Sequence, residues 1–398
     1  MRRPVFLGLA LCCAAVTAFG ADYGLIFHHT PELDARGKDV DYGYSGGIGP
    51  WVSFLVGENI DVYLSGSFMV RYWQDTWEYR PELTRSLITW RASPSLTVSG
   101  GRFRFNDLNR VLAGGLFDGA AGTVVLGNTR LSLGAYYTGL LFKGTADVVM
   151  TAEDGEEYNR ELDYTDFAGT CFASRRLLAA AAWELPSLGG GPHGLFFQAL
   201  AQFDLNGREE KVDTQYVSFQ FLFSPDPVFE VVLGGIAGFS ETSRDADLGF
   251  GVLVDGSWTP PTPIGDLVSF GLHWGSGRIN PVIGPLRPVT TLSQGNVLSA
   301  ELPGITLIRA GYTVWLGEQF FVNFDGRYFL RNDTKTYEDA ELAGKALGGE
   351  LYGAFTWAPV ADISVVFGGG VFFPGTGNAF AAGEPVRWKS AASLLFSF

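Results

Sequence analysis

Residues 320–330 read FFVNFDGRYFL, a stretch in which apolar and polar side chains alternate. One parity is apolar or aromatic and contains Phe320, Val322, Phe324, Tyr328 and Leu330. The other parity contains the polar residues Asn323, Asp325 and Arg327. Because successive side chains of a β-strand point to opposite faces, this period of two predicts a strand with one apolar and one polar face.

The same alternation recurs about eighteen times along the chain. Further examples are residues 60–72, 195–205, 215–223, 248–258, 308–316 and 363–373. Nearly every segment has about 10 to 14 residues, whereas strands of globular proteins average about five or six. Tilted strands that cross a membrane need about 9–11 residues, so the lengths favour membrane-spanning strands.

The composition excludes several other classes of protein. The 398 residues are 46% hydrophobic, 14% aromatic and 18% charged, with 53 glycines, which is incompatible with intrinsic disorder. After residue 20, no apolar run approaches the roughly 20 residues of a membrane helix. The net charge of −14 makes nucleic acid an unfavourable partner, because phosphate binding requires a basic surface.

A soluble two-sheet sandwich and a membrane barrel would both show this alternation. The outer face of a sandwich would be charged, but here the second face is small and polar, which suits a wet barrel interior. The apolar faces begin or end in the aromatic residues of a membrane girdle: Tyr42, Tyr72, Trp258, Phe320 and Trp357. A sheet in lipid must close, because an open edge leaves backbone groups unsatisfied. The sequence therefore predicts an all-β fold, a closed antiparallel transmembrane β-barrel with 18 strands in a range of 16–18.

Connection lengths alternate, as expected for short periplasmic turns and long extracellular loops. Short connections fall at 57–59, 93–95, 127–128, 224–226, 317–318 and 359–360. Longer polar ones fall near 29–39, 74–82, 106–114, 143–165, 206–213, 276–301, 332–345 and 374–385. The count reaches 18 if residues 166–185 form one long strand, which places Arg175 on the lipid-facing parity unless a bulge intervenes.

The N-terminus has the pattern of a secretory signal peptide. A basic start at residues 1–3 precedes an apolar stretch at 5–16 and the sequence AFG at 18–20. We expect residues 1–20 to be a signal peptide cleaved before Ala21, and residues 21–398 to form a single transmembrane β-barrel. Cys171 is then the only remaining thiol, which excludes an internal disulfide.

The C-terminus alternates in the same way and stops at an aromatic residue. Leu394, Phe396 and Phe398 occupy one parity of the last segment. With this ending, the chain resembles bacterial outer-membrane β-barrel proteins of the porin-like class. The resemblance implies that these three residues are an assembly signal for the barrel-assembly machinery. It also implies a location in the outer membrane of a diderm bacterium, in contact with membrane lipid and a lipopolysaccharide-like surface.

Residues 100–107 (GGRFRFND) and 115–119 (GLFDG) carry a more local resemblance, to alginate-export-type barrels. That family implies eighteen strands and a basic lumen for an anionic polymer. The apolar parity switches at Gly100-Gly101, from Leu96 and Val98 to Phe103 and Phe105. A β-bulge is therefore expected at this pair of glycines.

The ionisable residues on the polar parity are the candidate pore-lining residues. They are Arg71, Arg85, Arg91, Arg102, Arg104, Asp118, Arg130, Asp204, Glu230, Asp247, Asp255, Arg309, Asp325, Arg327, Glu350, Asp362, Arg387 and Lys389. In a round barrel, the early arginines would oppose the acidic residues of the middle strands, and the resulting transverse field would orient dipolar solutes. The alternative is pairing between neighbouring strands, for example Arg309 with Asp325. Loops 143–165 and 276–301 are long enough to fold inward and narrow the lumen.

These features favour a channel over an enzyme. The chain has no G-x-S-x-G or H-E-x-x-H motif, and Ser269 and His273 lie about 13 Å apart along one predicted strand. We expect no catalytic residue, no cofactor and no metal site. The hypothesis is an outer-membrane porin-like channel for passive diffusion of small hydrophilic solutes, with a homotrimer as the expected assembly. The alternatives are a substrate-specific channel or exporter for anionic saccharides, and a closed barrel that acts as a surface or adhesion protein.

Overall fold

A computed structural model of the chain describes residues 21–73, 75–337 and 339–398. This part of the chain contains eighteen β-strands. They are β1 Asp22–Arg36, β2 Asp39–Val56, β3 Ile60–Trp73, β4 Thr76–Ser93, β5 Leu96–Asn106, β6 Gly114–Leu126, β7 Thr129–Tyr137, β8 Arg176–Leu185, β9 Gly194–Asp204, β10 Val212–Asp226, β11 Phe229–Thr242, β12 Ala246–Trp258, β13 Asp266–Gly275, β14 Ile305–Leu316, β15 Phe320–Arg331, β16 Ala346–Val360, β17 Ile363–Pro374 and β18 Arg387–Ser397. The signal peptide expected at residues 1–20 lies outside the described residues.

Three short helices lie in the connection between β7 and β8. They are α1 Lys143–Ala146, α2 Ala152–Asn159 and α3 Phe167–Cys171. Helix α2 begins at a capping box in which Thr151 and Asp154 satisfy each other's backbone N–H groups. Within the described residues, no helix is long and apolar enough to cross a membrane.

The sheet closes on itself. Each strand pairs antiparallel with its neighbours in sequence, and β1 pairs with β2 on one side and β18 on the other. At the seam, the Leu25 N–H donates to the Phe398 carbonyl at 2.8 Å. The predicted closed antiparallel barrel of 18 strands is therefore confirmed.

The two parities of each strand face different surroundings. Apolar side chains on the outward face are exposed, as at Leu133 (68%) and Leu351 (62%). On the inward face of β9 and β10, Gln202, Thr214 and Ser218 are buried under material inside the barrel. An apolar exterior and a polar, filled interior are what lipid outside and a wet lumen inside require.

The expectation of one strand over residues 166–185 is wrong. Residues 167–171 form helix α3, which starts where the Asp166 side chain accepts from the Gly169 N–H, and β8 begins only at Arg176. Arg175 precedes the strand, is exposed, and donates its backbone N–H to Asn206. The strand count stays at eighteen, and the conflict over an arginine on the lipid-facing parity disappears.

Two predicted loops, 29–39 and 74–82, are mostly strand. Strands β1 and β2 continue to a tight turn at Gly37, which adopts φ 66°, and β4 begins at Thr76. The expected bulge at Gly100-Gly101 is also wrong, because β5 keeps a single register with β6 through both glycines. A Cβ at residue 101 would lie 1.9 Å from the Ser86 carbonyl oxygen, so this position needs glycine for close approach of two strands.

The top of the β5–β6 hairpin leaves the barrel wall. Pairing of β4 with β5 ends at Ser86 and Arg102, and pairing of β6 with β7 ends at Asp118 and Tyr137. The hairpin itself continues to Asn106 and Gly114. Phe105 packs with Phe117 and Tyr136 in a buried cluster, and Phe103 packs against that cluster. Phe103 and Phe105, which the expected bulge would have turned toward lipid, therefore fill the interior.

Candidate pore and its lumen

Three extracellular connections, 107–113, 138–175 and 276–304, fold into the barrel. The first reaches across to β9 and β10, where the Leu108 N–H donates to Gln198 and Gln220 donates to the Leu108 carbonyl. Its tight turn is held by Asp107, whose carboxylate accepts the N–H groups of Asn109, Leu112 and Ala113. Leu112 is fully buried as a result.

Connection 276–304 crosses the lumen. Val289 donates its N–H to the Leu112 carbonyl at 2.6 Å, and Thr291 donates to the Asp147 carbonyl at 2.8 Å. Farther along, the carboxylate of Glu350 on β16 accepts three successive backbone N–H groups, from residues 296–298, at 2.8–2.9 Å. Loops 143–165 and 276–301, which are long enough to narrow the lumen, thus both fold into it.

Connection 138–175 is attached to the wall by a buried ionic network. Asp154 of α2 binds Arg176 at 2.6 Å and Arg208 at 2.9 Å, and Arg176 also binds Asp204 at 2.6 Å. Burial opposes ionisation of Asp154, but Arg176 and the hydroxyl of Ser174 hold the pKa of its carboxyl below the usual value. The network fixes α2 against β8 and β9.

Three of the four candidate acidic residues of the middle strands, Asp204, Asp247 and Asp255, are neutralised, and Glu230 is the exception. Besides Asp204, Asp247 binds Arg278 at 2.8 Å. Asp255 binds Arg309 at 2.5 Å and His273 at 3.0 Å. Arg309 therefore pairs with β12 and not with Asp325, the partner suggested from the sequence. His273 is held between Asp255 and the Gln294 side chain, so its imidazole is part of the lumen's hydrogen-bond network.

Most of the remaining candidates are also paired. Arg327 binds Asp325 at 2.7 Å and lies 3.6 Å from Glu350. The other pairs are Arg91 with Asp61, Arg130 with Glu184, Arg387 with Asp339 and Glu384, and Lys389 with Glu32. Glu230 and Asp362 are exposed near the periplasmic ends of β11 and β17.

Arg102 and Asp118 form a different kind of pair. Two guanidinium nitrogens of Arg102 donate to the two Asp118 carboxylate oxygens at 2.8 Å each. The same guanidinium donates to the carbonyls of Leu83 on β4 and Leu140 in connection 138–175. Arg102 is only 6% exposed, so this arginine joins parts of the wall and does not present its charge to the lumen.

Basic side chains on the side of β3 to β5 remain unneutralised, with Arg71 and Arg85 in the wall and Arg104 on the part of β5 that runs inward; together we call them the basic wall. Arg71, Arg85 and Arg104 are exposed and, among the described residues, have no ion-pair partner. Arg85 lies 4.8 Å from the centre of the Tyr63 ring. Arg85 and Arg104 line a cavity of about 550 Å³ together with hydroxyl groups of Thr84, Thr97, Ser99 and Thr123.

Two acidic residues of the inward connections were missed in the sequence. Burial raises the pKa of the Asp147 carboxyl, although hydrogen bonds from Thr291 and Tyr158 oppose the shift. Glu301 keeps an exposed side chain, but the surrounding loops partly desolvate it and, with the negative charge of Asp147, raise the pKa of its carboxyl. Only the path of the loops brings these residues together, and no local pattern marks them.

The fold is that of bacterial outer-membrane porins, which supports a location in the outer membrane. The chain is similar to Pseudomonas aeruginosa OccK2 (OpdF), with TM-score 0.65, 12% identity, and coverage of 95% of this chain and 97% of the other. It is also similar to P. aeruginosa opdK, with TM-score 0.63, 12% identity, and coverage of 95% and 99%. OccK2 (OpdF) solved in complex with glucuronate gives TM-score 0.62, 14% identity, and coverage of 95% and 98%.

No known family model matches the chain, and no curated protein matches it by sequence. At 12–14% identity the likeness concerns the fold. The neighbours are porins and not enzymes, in line with the channel-like architecture.

Proposed function

We propose that this protein is an outer-membrane channel through which small hydrophilic solutes diffuse passively, with a preference for anions. The observation that carries the proposal is the asymmetry of the lumen. The carboxylates of β9, β12 and β15 are ion-paired, whereas Arg71, Arg85 and Arg104 on the opposite side are not. A fixed positive charge along one wall of a narrow aqueous path attracts anions and lowers the barrier to their passage.

The complex of a structural neighbour with glucuronate supports acidic sugars as one class of solute to test. The hydroxyl groups that share the cavity with Arg85 and Arg104 would suit such a solute, because they can donate to and accept from its own hydroxyls. A surface or adhesion protein with a closed lumen is the alternative, and it would carry no ion current.

Planar-bilayer recording tests the proposal. The purified protein should give discrete conductance steps in KCl, with a reversal potential in a salt gradient that favours chloride. The double variant Arg85→Gln/Arg104→Gln should lower the chloride preference by roughly two- to five-fold, since two fixed charges are removed. Arg244→Gln, in the turn between β11 and β12, is the matched control. Absence of conductance would contradict the channel, and unchanged selectivity would contradict the role of the basic wall.

The route to the membrane is part of the same proposal. The basic start and apolar stretch of residues 1–20 support export through a cleaved signal peptide, followed by a mature barrel from residue 21. The terminal pattern at Leu394, Phe396 and Phe398 supports recognition by the barrel-assembly machinery and insertion beside lipopolysaccharide. We also propose that the barrels assemble as a homotrimer. Cross-linking in intact membranes followed by gel electrophoresis would then give a product of three times the monomer mass.

A further inference from the structure

The upper half of β4 is an edge strand inside the membrane. From Thr76 to Arg85, β4 pairs with β3, but its pairing with β5 starts only at Ser86. The outward side chains of this half are apolar and exposed, with Trp77 at 50%, Tyr79 at 46% and Leu83 at 46%. They continue the lipid-facing band, so this edge lies where a barrel normally has no open edge.

Side chains, and not a neighbouring strand, satisfy this edge. The hydroxyl of Tyr164, in connection 138–175, accepts from the Tyr79 N–H at 2.9 Å and donates to the Tyr79 carbonyl at 3.0 Å. Arg102 donates to the Leu83 carbonyl at 2.7 Å. Pro81, between these two contacts, has no N–H to satisfy. We call this region the side panel; it consists of β4 residues 76–85 with Arg102, Leu140 and Tyr164.

The upper edge of β12 is a comparison for the side panel, because β12 also extends beyond the pairing with its neighbour. Pairing of β12 with β13 stops at Gly251, below the top of β12. There, however, backbone replaces the missing strand: Leu248 donates to the Val282 carbonyl at 2.9 Å and accepts from Gly284 at 3.0 Å. A backbone ladder closes the wall at β12, whereas at Tyr79 and Leu83 of β4 the contacts come from the side chains of Tyr164 and Arg102.

A cavity of about 560 Å³ lies directly behind the side panel. Its lining joins the outward-facing Trp77 and Tyr164 to Phe142 and to the cationic side chains of Arg71 and Arg160. Arg71 and Arg160 have no ion-pair partner among the described residues. Lys143 adds a positive charge, and the acids of the lining are Glu78, which binds Arg80 at 3.0 Å, and Glu161. The cavity is thus aromatic toward the lipid and cationic toward the lumen.

We propose that the side panel is a lateral access route and that the cavity binds an amphiphilic carboxylate, a molecule with an apolar chain or ring and one acidic group. The apolar part lies between Trp77, Phe142 and Tyr164, where it is continuous with the lipid-facing band. The carboxylate pairs with the guanidinium groups of Arg71 and Arg160, which supply the charge complementarity. Opening at Tyr79 requires displacement of the Tyr164 hydroxyl, opening as far as Leu83 also requires displacement of the Arg102 guanidinium, and neither breaks a backbone ladder between β4 and β5.

Binding is tested with 11-(dansylamino)undecanoic acid and protein reconstituted in vesicles of neutral phospholipid. Trp73 and Trp77 line the cavity, so excitation of tryptophan should produce dansyl emission that decanoate reduces and decanol does not. The emission that persists comes from probe in the lipid near other exposed tryptophans, such as Trp258 and Trp357. Arg71→Gln/Arg160→Gln should weaken the affinity for the probe by about five- to ten-fold, because the ion pairs of both arginines with its carboxylate are lost. The control variant Arg175→Gln/Arg244→Gln changes two exposed arginines outside the cavity and should bind the probe as tightly as the unmodified protein. Equal binding by both double variants would show partition into lipid only and would overturn the site.

The lateral route is tested by bridging the side panel. Tyr79→Cys and Tyr164→Cys are introduced in a Cys171→Ser background and joined with a short bismaleimide, with the Tyr164→Cys single variant as control. The bridged protein should take up membrane-dissolved probe at least several-fold more slowly, while its KCl conductance is unchanged. Uptake at the unbridged rate would overturn lateral access. Conductance is measured on the same protein, so a failure of the proposed channel is recognised separately.

Discussion

At the scale of single residues, position in the strand pattern does not determine what an arginine does. Arg102 and Arg104 are two residues apart on β5, yet Arg102 is buried in a bidentate pair with Asp118 and Arg104 is exposed beside a cavity. The difference arises because β5 leaves β4 at Arg102, whose guanidinium then satisfies carbonyls that a strand would otherwise reach. Buried polar groups need hydrogen-bond partners, so the backbone groups within reach decide whether an arginine is held in the wall or stays exposed.

Glu350 is expected to control how tightly connection 276–304 is held. Glu350→Gln keeps the shape of the side chain but removes the charge that accepts three backbone N–H groups, at a cost of about 2–4 kcal/mol. Single-channel recordings should show more frequent conductance fluctuations, and proteases should cut the connection faster. Glu230→Gln, at an exposed periplasmic position, is the control; equally quiet channels in both variants would contradict this role.

Selectivity should depend on pH through Asp147 and Glu301. Because desolvation raises the pKa of both carboxyls, they gain protons at a higher pH than ordinary acidic side chains. As pH falls from 7 toward about 5, the lumen loses negative charge and the chloride preference should increase. Glu301→Gln isolates the contribution of this carboxyl: the variant should prefer chloride more at pH 7 and respond less to acid. An unchanged pH response would exclude Glu301.

At the scale of elements, short helices and loops are positioned by contacts to the wall and not by their own length. Helix α2 has eight residues, too few for independent stability, but Thr151 and Asp154 cap it and Asp154 joins it to β8. The depressed pKa of Asp154 means that this attachment is present at neutral pH and is lost only as pH falls through the lowered value.

Asp154→Asn should release connection 138–175. Removal of the carboxylate leaves Arg176 buried with one fewer counter-charge and breaks contacts to Arg208 and Ser174, a loss of about 3–5 kcal/mol. Hydrogen exchange of residues 151–159 should increase while the strands stay protected. Asp163→Asn, at an exposed position of the same connection, should change exchange little. Unchanged exchange in Asp154→Asn would refute the anchoring role.

At the scale of the whole molecule, the barrel exists only when its ends meet. Strand β18 pairs with both β17 and β1, and the Phe398 ring stacks on Phe27 with centroids 5.8 Å apart. Phe398 is largely exposed to lipid, so truncation of its side chain removes little packing from the finished barrel. Its effect should therefore appear during assembly.

Phe398→Ala should lower the amount of folded barrel in the membrane by roughly several-fold, with little change in the stability of what folds. Heat-modifiable migration in gels measures the folded fraction, and thermal unfolding measures stability. Phe373→Ala, which truncates another exposed aromatic side chain on the neighbouring strand β17, is the control. Equal assembly of the two variants would contradict a special role for the last residue.

The strand pattern could be predicted because it depends on local chemistry. Segments such as 320–330 alternate in response to lipid on one side and water on the other, and this constraint holds strand by strand. The strand predicted over residues 166–185 and the bulge predicted at Gly100-Gly101 were wrong because these regions depend on contacts that are not local. Helix α3 and the inward hairpin depend on partners far away in sequence, and an apolar parity that packs inside the barrel looks the same as one that faces lipid.

The sequence alone therefore determined the eighteen strands, their closure and the outward face of most strands, because hydrocarbon and water act on each residue separately. The tertiary structure decided which charges are neutralised and which remain free. Asp255 pairs with Arg309, two strands away, and Glu350 with a connection more than fifty residues earlier, whereas Arg85 and Arg104 have no acidic partner among the described residues. Electrostatic pairing is a matter of distance in space, and only the folded loops set those distances.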